Sequence, residues 1–303
     1  MAVYVVGDFL RETRLRKGYT QEEVSYGICT PASLSRIENG AQKPGRLILE
    51  KLFERLGTEN NLFNTFVSRE DMELYSAIQE LIRNITDKNV SRIEKQIKTV
   101  EKLIRETSVL EHQSLYFAQG ELARQRDKEN EKAMQLYMKA IHVTLPNFDG
   151  KNPLRNNLLT FDEIMIINAI AILYSEMEDN IVAIRLNMWL KEYMENKIVD
   201  GKMKTAKYPV ILYNLSCWFF DEQYYEETIQ MADVGIDFCV KYSNLVIFPS
   251  LILNKGVAMA ELGKMNEAKK YLHQAITIFN AMNRSNTVKT ISDWCKTHYE
   301  IEV

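Results

Sequence analysis

GYTQEEVSYGICTPASLSRIENGAQKP, residues 18–44, decides how the first part of this 303-residue chain folds. Thr20-Gln21-Glu22-Glu23 has the capping-box form: the threonine hydroxyl caps a helix and the glutamate three positions on reaches back. That short helix ends near Gly27. Thr30 caps the next one, with Pro31 at the first helical position, where its missing N–H costs nothing. The second helix runs from Pro31 to Glu38 and stops at Asn39-Gly40. Upstream, a helix from Val6 to Lys17 stops at Gly18, a C-cap residue. Downstream, a helix from Arg46 to Leu56 ends at Gly57. Two short helices joined by a tight turn and braced on both sides predict a helix-turn-helix.

The ordered set Gly18, Thr20-Gln21-Glu22-Glu23, Ser33-Leu34-Ser35-Arg36-Ile37-Glu38-Asn39-Gly40 and Pro44 resembles the XRE/Cro-type DNA-binding domain, in the version that opens Rgg- and PlcR-like regulators. In such a motif the second helix enters the major groove and its outward side chains meet base edges. Here those are Ala32, Ser33, Ser35 and Arg36, while Leu34 and Ile37 face inward. Arginine matches the paired acceptors of guanine, which makes Arg36 the main base reader. The resemblance implies that Gln21 grips phosphate and that Arg14 pairs with Glu38. Pro31 stands where relatives often carry a polar base reader. Lys43 and Arg46, in the following loop and helix start, are placed to touch the DNA backbone.

Composition agrees with a mostly helical protein: 46% of residues are apolar, and there are only 12 Gly and 6 Pro. The net charge of -3 excludes a chain coated in nucleic acid, so any such binding is local. Residues 1–57 carry nine basic groups against seven acidic, a balance of +2. So weak a charge calls for two copies on two half-sites, hence a homodimer on a double-stranded operator. No basic segment followed by an apolar stretch opens the chain, so no signal peptide is expected. The densest apolar run, Ile164 to Tyr174, is too short to span a bilayer. Cys29, Cys217, Cys239 and Cys295 are scattered and read as reduced thiols of a cytoplasmic protein.

Little points to enzymology. His112, His142, His273 and His298 share no metal spacing, and neither a phosphate loop nor a nucleophile elbow occurs. No catalytic residue, metal or cofactor is expected. The Asp and Glu residues read as solvating charge on helix faces, as do the basic stretches Lys88–Lys102 and Lys202–Lys207.

From Ser68 onward apolar residues recur at helical spacing and the segments pair up. The tetratricopeptide pattern fits best at residues 249–282, with Gly256, Ala268 and Ala275 at its small positions. Residues 209–242 repeat it through Ser216, Phe219, Thr228, Ala232 and Gly235. Residues 164–197 and 113–146 follow less regularly, preceded by a degenerate helix pair at about 70–106; the final segment, Asn286 to Tyr299, would be a capping helix or a dimer contact. Stacked pairs of this kind make a right-handed solenoid with a concave face. The aromatic run Tyr208 to Phe220 reads chiefly as helix packing. The predicted fold is therefore all-α: a helix-turn-helix domain with linker over 1–65, then a tetratricopeptide-type α-solenoid over 66–303 for ligand binding and dimerisation.

This architecture resembles the Rgg/PlcR (RNPP) regulators along the whole chain. The resemblance implies a cytoplasmic homodimeric transcription factor whose repeats sense a short peptide. Asn214 and Asn254 occupy the same repeat position, with Asn168 in a weaker register. An amide both donates and accepts, so it can match a peptide backbone whatever its side chains. Tyr213, Cys217, Leu253 and Val257 would supply an apolar floor, with Asp221 and Glu261 further along, a mix suited to a short hydrophobic peptide. Two alternatives remain open: a DNA-binding regulator whose repeats bind another protein, and a repeat adaptor that sequesters a protein partner without DNA.

Overall fold

The computed structural model describes residues 6–58, 69–86, 89–105, 108–154, 157–197 and 199–299. Among these the chain is helical without a strand. The boundary expected at 65/66 lies outside the described residues. By its internal contacts the chain forms two compact units, one of residues 1–177 with 197–201, the other of 178–196 with 202–303.

The first unit opens with α1 (Val6–Arg16), α2 (Gln21–Ser25), α3 (Pro31–Glu38) and α4 (Arg46–Arg55). Both expected caps are present. The Thr20 hydroxyl accepts from the Glu23 amide while Glu23 accepts from the Thr20 amide, and the Thr30 hydroxyl accepts from the Ser33 amide. Leu10, Leu34, Ile37, Leu52 and Phe53 form the core of this bundle, none more than 2% exposed.

That core is continuous with the helices that follow: α5 (Arg69–Thr86), α6 (Val90–Leu103), α7 (Val109–Leu122), α8 (Asn130–His142) and α9 (Phe161–Glu176). Leu110 and Leu158 pack into the α1–α4 cluster. Gly27, at φ +68°, lies so close to the chain after α8 that a Cβ on it would sit 1.9 Å from the Thr144 carbonyl oxygen. Charge completes the attachment. Lys51 on α4 reaches Asp162 at 2.7 Å, Arg55 reaches Glu163 at 2.6 Å, and the Phe161 amide donates to Glu54 at 3.0 Å. Here the sequence reading needs correcting: Asp162 and Glu163 are buried partners of α4, not solvated charge. Burial is tolerated because each carboxylate has a cation, and Glu163 also caps α9 by accepting from the Thr160 amide at 2.6 Å.

Between α7 and α8 the helix widens into a π turn, Ala123–Asp127, that carries Arg124 over Glu121 (3.0 Å) and Glu176 (2.6 Å). Gly120 is needed beneath it, where a Cβ would meet the Tyr137 ring at 2.6 Å.

The second unit holds α10 (Asn180–Asn196), α11 (Gly201–Asp221), α12 (Tyr225–Tyr242), α13 (Phe248–Glu261), α14 (Met265–Ala281) and α15 (Ser285–Tyr299). The expected small positions are where neighbouring helices cross: Gly235 lies against Leu251, Gly256 against Leu272, and Ala268 and Ala275 are fully buried. Pro209 sits inside α11 and offers no N–H to the Thr205 carbonyl one turn back. That carbonyl accepts instead from the Asn244 side chain at 2.9 Å. Among the described residues no helix is long and apolar enough to cross a membrane.

Candidate functional site

Helix α3 is held from behind. Leu34, Ile37 and Glu38 are buried, and Glu38 receives the Arg14 guanidinium through two bonds, Nε to Oε1 at 2.7 Å and Nη2 to Oε2 at 2.9 Å. The expected Arg14–Glu38 pair is thus present, and it is bidentate. Arg14 also donates to the Tyr19 carbonyl at 3.0 Å. The bond to Glu38 raises the already high pKa of Arg14, so the cation is fixed.

With its back locked, α3 turns a row outward. Ala32 and Arg36 are exposed, and Ser33 and Ser35 are half-buried. Lys43 is exposed in the loop beyond. Two other expected contacts are occupied within the fold. Gln21 donates through Nε2 to Glu38 Oε2 at 2.7 Å, because a buried carboxylate needs more donors than one arginine supplies. Arg46 departs further: its guanidinium stacks 4.0 Å over the Tyr75 ring of α5, with Nη1 3.4 Å from Met72 Sδ. A cation close to an aromatic face is attracted by the ring quadrupole, which turns this side chain toward α5.

In the second unit, Tyr213, Asn214 and Cys217 stand on α11 and Leu253, Asn254 and Val257 on α13. The structure brings several of them together. Asn254 Nδ2 donates to Ser216 Oγ at 2.7 Å and approaches Cys217 Sγ at 3.2 Å, while Ser216 donates to the Tyr213 carbonyl at 2.7 Å. The neighbouring Cys217 and burial push the Tyr213 hydroxyl above its ordinary range; burial pushes the Cys217 thiol up. Both keep their protons at neutral pH, so neither adds charge to this face, and Asp221 one turn along α11 also raises the Cys217 pKa. Asn214 and Leu253 are half-buried. Val257 differs from the expected floor: it is buried in the core with Leu272 and Phe279. Asp221 and Glu261 are exposed, and Tyr299 of α15 donates to Glu261. Asn168 is half-buried on α9, in the first unit. Ser216 was legible only as a small residue; its hydroxyl also anchors the Asn254 amide. Among the described residues no group of three or more His, Cys, Asp or Glu side chains could hold a metal ion.

Residues 5–66 match the helix-turn-helix domain family. Over 63 residues, 20% of this chain and 83% of the relative, the sequence is 38% identical to an uncharacterized HTH-type transcriptional regulator, YqaF, of Bacillus subtilis. Bacillus thuringiensis PlcR, solved in complex with the peptide PapR7 and DNA, superposes with a TM-score of 0.60 at 18% identity, covering 95% of this chain and 98% of that one. The apo form of the competence regulator ComR from Streptococcus vestibularis gives 0.52 at 14% identity, covering 97% of each chain. At such identities the two structures show a common fold: a helix-turn-helix domain followed by helical repeats. The match to YqaF reaches further, since it spans most of that relative, and by it the chain belongs to the helix-turn-helix-type transcriptional regulators, built on a PlcR-like fold.

Proposed function

We propose that the protein is a cytoplasmic, homodimeric regulator of the Rgg/PlcR type, which binds an operator through α3 and a short hydrophobic peptide through its repeats. The observation that carries the DNA half is the outward row Ala32, Ser33, Ser35 and Arg36 on a helix whose inner face is fixed by a buried ion pair. Lys43 adds a backbone contact. The charge of this region is small, so two copies on two half-sites supply the affinity.

The peptide half is supported by the amide-and-apolar face of α11 and α13. Asn254 keeps its carbonyl oxygen as an acceptor while Nδ2 is held by Ser216. Tyr213, Cys217 and Leu253 flank it, with Asn214 at the same repeat position one tetratricopeptide motif earlier. On this reading the helix-turn-helix domain reads DNA and the repeats sense the peptide. The PlcR complex holds both ligand classes on the same fold.

Two measurements on the full chain test this reading. Selection from a randomised duplex library should enrich a two-fold symmetric site bound by a dimer, as judged by light scattering. Calorimetry against short hydrophobic peptides should find binders whose addition changes operator affinity. Failure to enrich any duplex would point to an adaptor acting on a protein. Operator binding by a protein that no peptide binds would reduce the reading to a regulator without a peptide ligand.

A further inference from the structure

Arginine has five N–H donors, and the fold has already engaged two donor nitrogens of Arg36. Nε donates to Gln42 Oε1 at 3.0 Å, and Nη2 donates to Ser33 Oγ at 3.1 Å. Neither partner is a loose surface group. Ser33 is tied to the helix cap, its amide donating to Thr30 Oγ at 3.1 Å and its hydroxyl oxygen accepting from Thr30 at 3.0 Å. Gln42 is delivered by the backbone. Gly40, at φ +72°, folds the chain back over the end of α3. The amides of Ala41 and Gln42 then both donate to the Arg36 carbonyl, at 2.8 and 3.2 Å. Gln42 thereby holds Arg36 at its carbonyl and at its guanidinium.

We propose that Gln42, a loop residue outside the recognition helix, is a specificity-determining positioning residue that holds Arg36 so its Nη1–Nη2 end faces the base. This rests on the reading of α3 as the recognition helix. The occupied Nε leaves the terminal fork of Nη1 and Nη2 as the bidentate edge, and guanine presents N7 and O6 to such a fork in the major groove. A long exposed side chain otherwise loses rotamer freedom when it binds, and a side chain already held loses less. Glutamine suits the task because it accepts from the guanidinium without adding a negative charge beside DNA phosphates.

The test uses the full chain and duplexes enriched from a randomised library, with affinity measured against every single-base change. Arg36→Ala should erase discrimination at one base pair per half-site, a loss of roughly five- to hundredfold. Gln42→Ala should lower discrimination at that same base pair about two- to tenfold, with melting temperature and salt dependence unchanged. Gln42→Glu keeps an acceptor for Nε, so it should retain the preference there while weakening all duplexes alike. If Gln42→Ala leaves that preference intact while Arg36→Ala removes it, the positioning role fails and the recognition helix stands. A change confined to a different base pair would mean that Gln42 reads a base itself, which also overturns the proposal. If Arg36→Ala has no effect on any base pair, the reading of α3 falls.

Discussion

Arg55 and Glu163, 108 residues apart, meet at 2.6 Å with neither side chain exposed to solvent. The pair fastens α4 to the start of α9, and Glu163 uses its other oxygen to cap that helix. Arg55 Nε and Nη1 are buried without a hydrogen-bond partner, so the pair carries a desolvation cost as well as an attraction. Arg55→Met should therefore destabilise the protein by about 3–5 kcal/mol, since it strands the glutamate. Adding Glu163→Gln should recover much of that loss, because glutamine still caps α9. Urea unfolding checks both, and a double variant no more stable than Arg55→Met would contradict this account.

Stability should depend on pH through Glu54. Burial, with Asp162 and Glu50 nearby, outweighs Lys51 and raises the Glu54 pKa to about 7. A carboxyl raised in the folded state binds its proton more tightly there than in the unfolded chain. Folding is therefore favoured as pH falls from about 8 toward 5, and this gain is lost as pH rises through 7. Glu54→Gln should flatten that window and stabilise the protein at pH 8 by about 1–2 kcal/mol. Thermal melts across pH 5–8 on both proteins give the slope; a wild-type curve that rises toward pH 8 in this window is the contrary result.

Breaking the bidentate pair behind α3 from one side should cost about 3–5 kcal/mol, because the remaining charge is buried. Arg14→Met and Glu38→Leu combined should cost less than the two single losses added together. A denaturation cycle over the four proteins measures that coupling, and strict additivity would show that the contact contributes nothing.

Asn254→Ala removes the donor that Ser216 and Cys217 share, together with the acceptor proposed to meet a peptide. Peptide affinity measured by calorimetry should weaken by about 1–3 kcal/mol, the cost of leaving a buried polar partner unmade. Unchanged affinity in a folded variant removes Asn254 from the peptide face.

Asn244→Ala should destabilise the second unit by about 1–3 kcal/mol, since the Thr205 carbonyl loses its donor. Pro209→Ala restores an N–H at the position where the helix would supply one. The double variant should then be more stable than Asn244→Ala alone, a comparison that thermal denaturation can make directly.

The local features were legible. Thr20 with Glu23 and Thr30 with Pro31 lie within one helical turn, so their capping follows from spacing alone. Gly235, Gly256 and Ala268 were legible because close helix crossings exclude larger residues. The Arg14–Glu38 pair came through family resemblance, not spacing. Long-range partners were hidden. Asp162 and Glu163 read as solvating charge on a helix face, and nothing near them in sequence announces Lys51 and Arg55. Arg46 looked like a phosphate contact because Tyr75, which captures it, lies on the next helix. Val257 followed the groove register, yet it packs into the core of α13, α14 and α15.

Two glycines with the same backbone twist should have opposite histories under mutation. Gly40 is at φ +72° with nothing within 4 Å of a Cβ, so asparagine, which tolerates that twist, could replace it at modest cost. Gly27 is at φ +68° and pressed against the Thr144 carbonyl, so every other residue must push the α2–α3 turn away from the chain that follows α8. In a saturation library Gly40 should accept a narrow set of residues, while Gly27 should accept none. Substitutions on the outer face of α3 could then change which operator is read, while this one contact keeps the turn before that helix invariant.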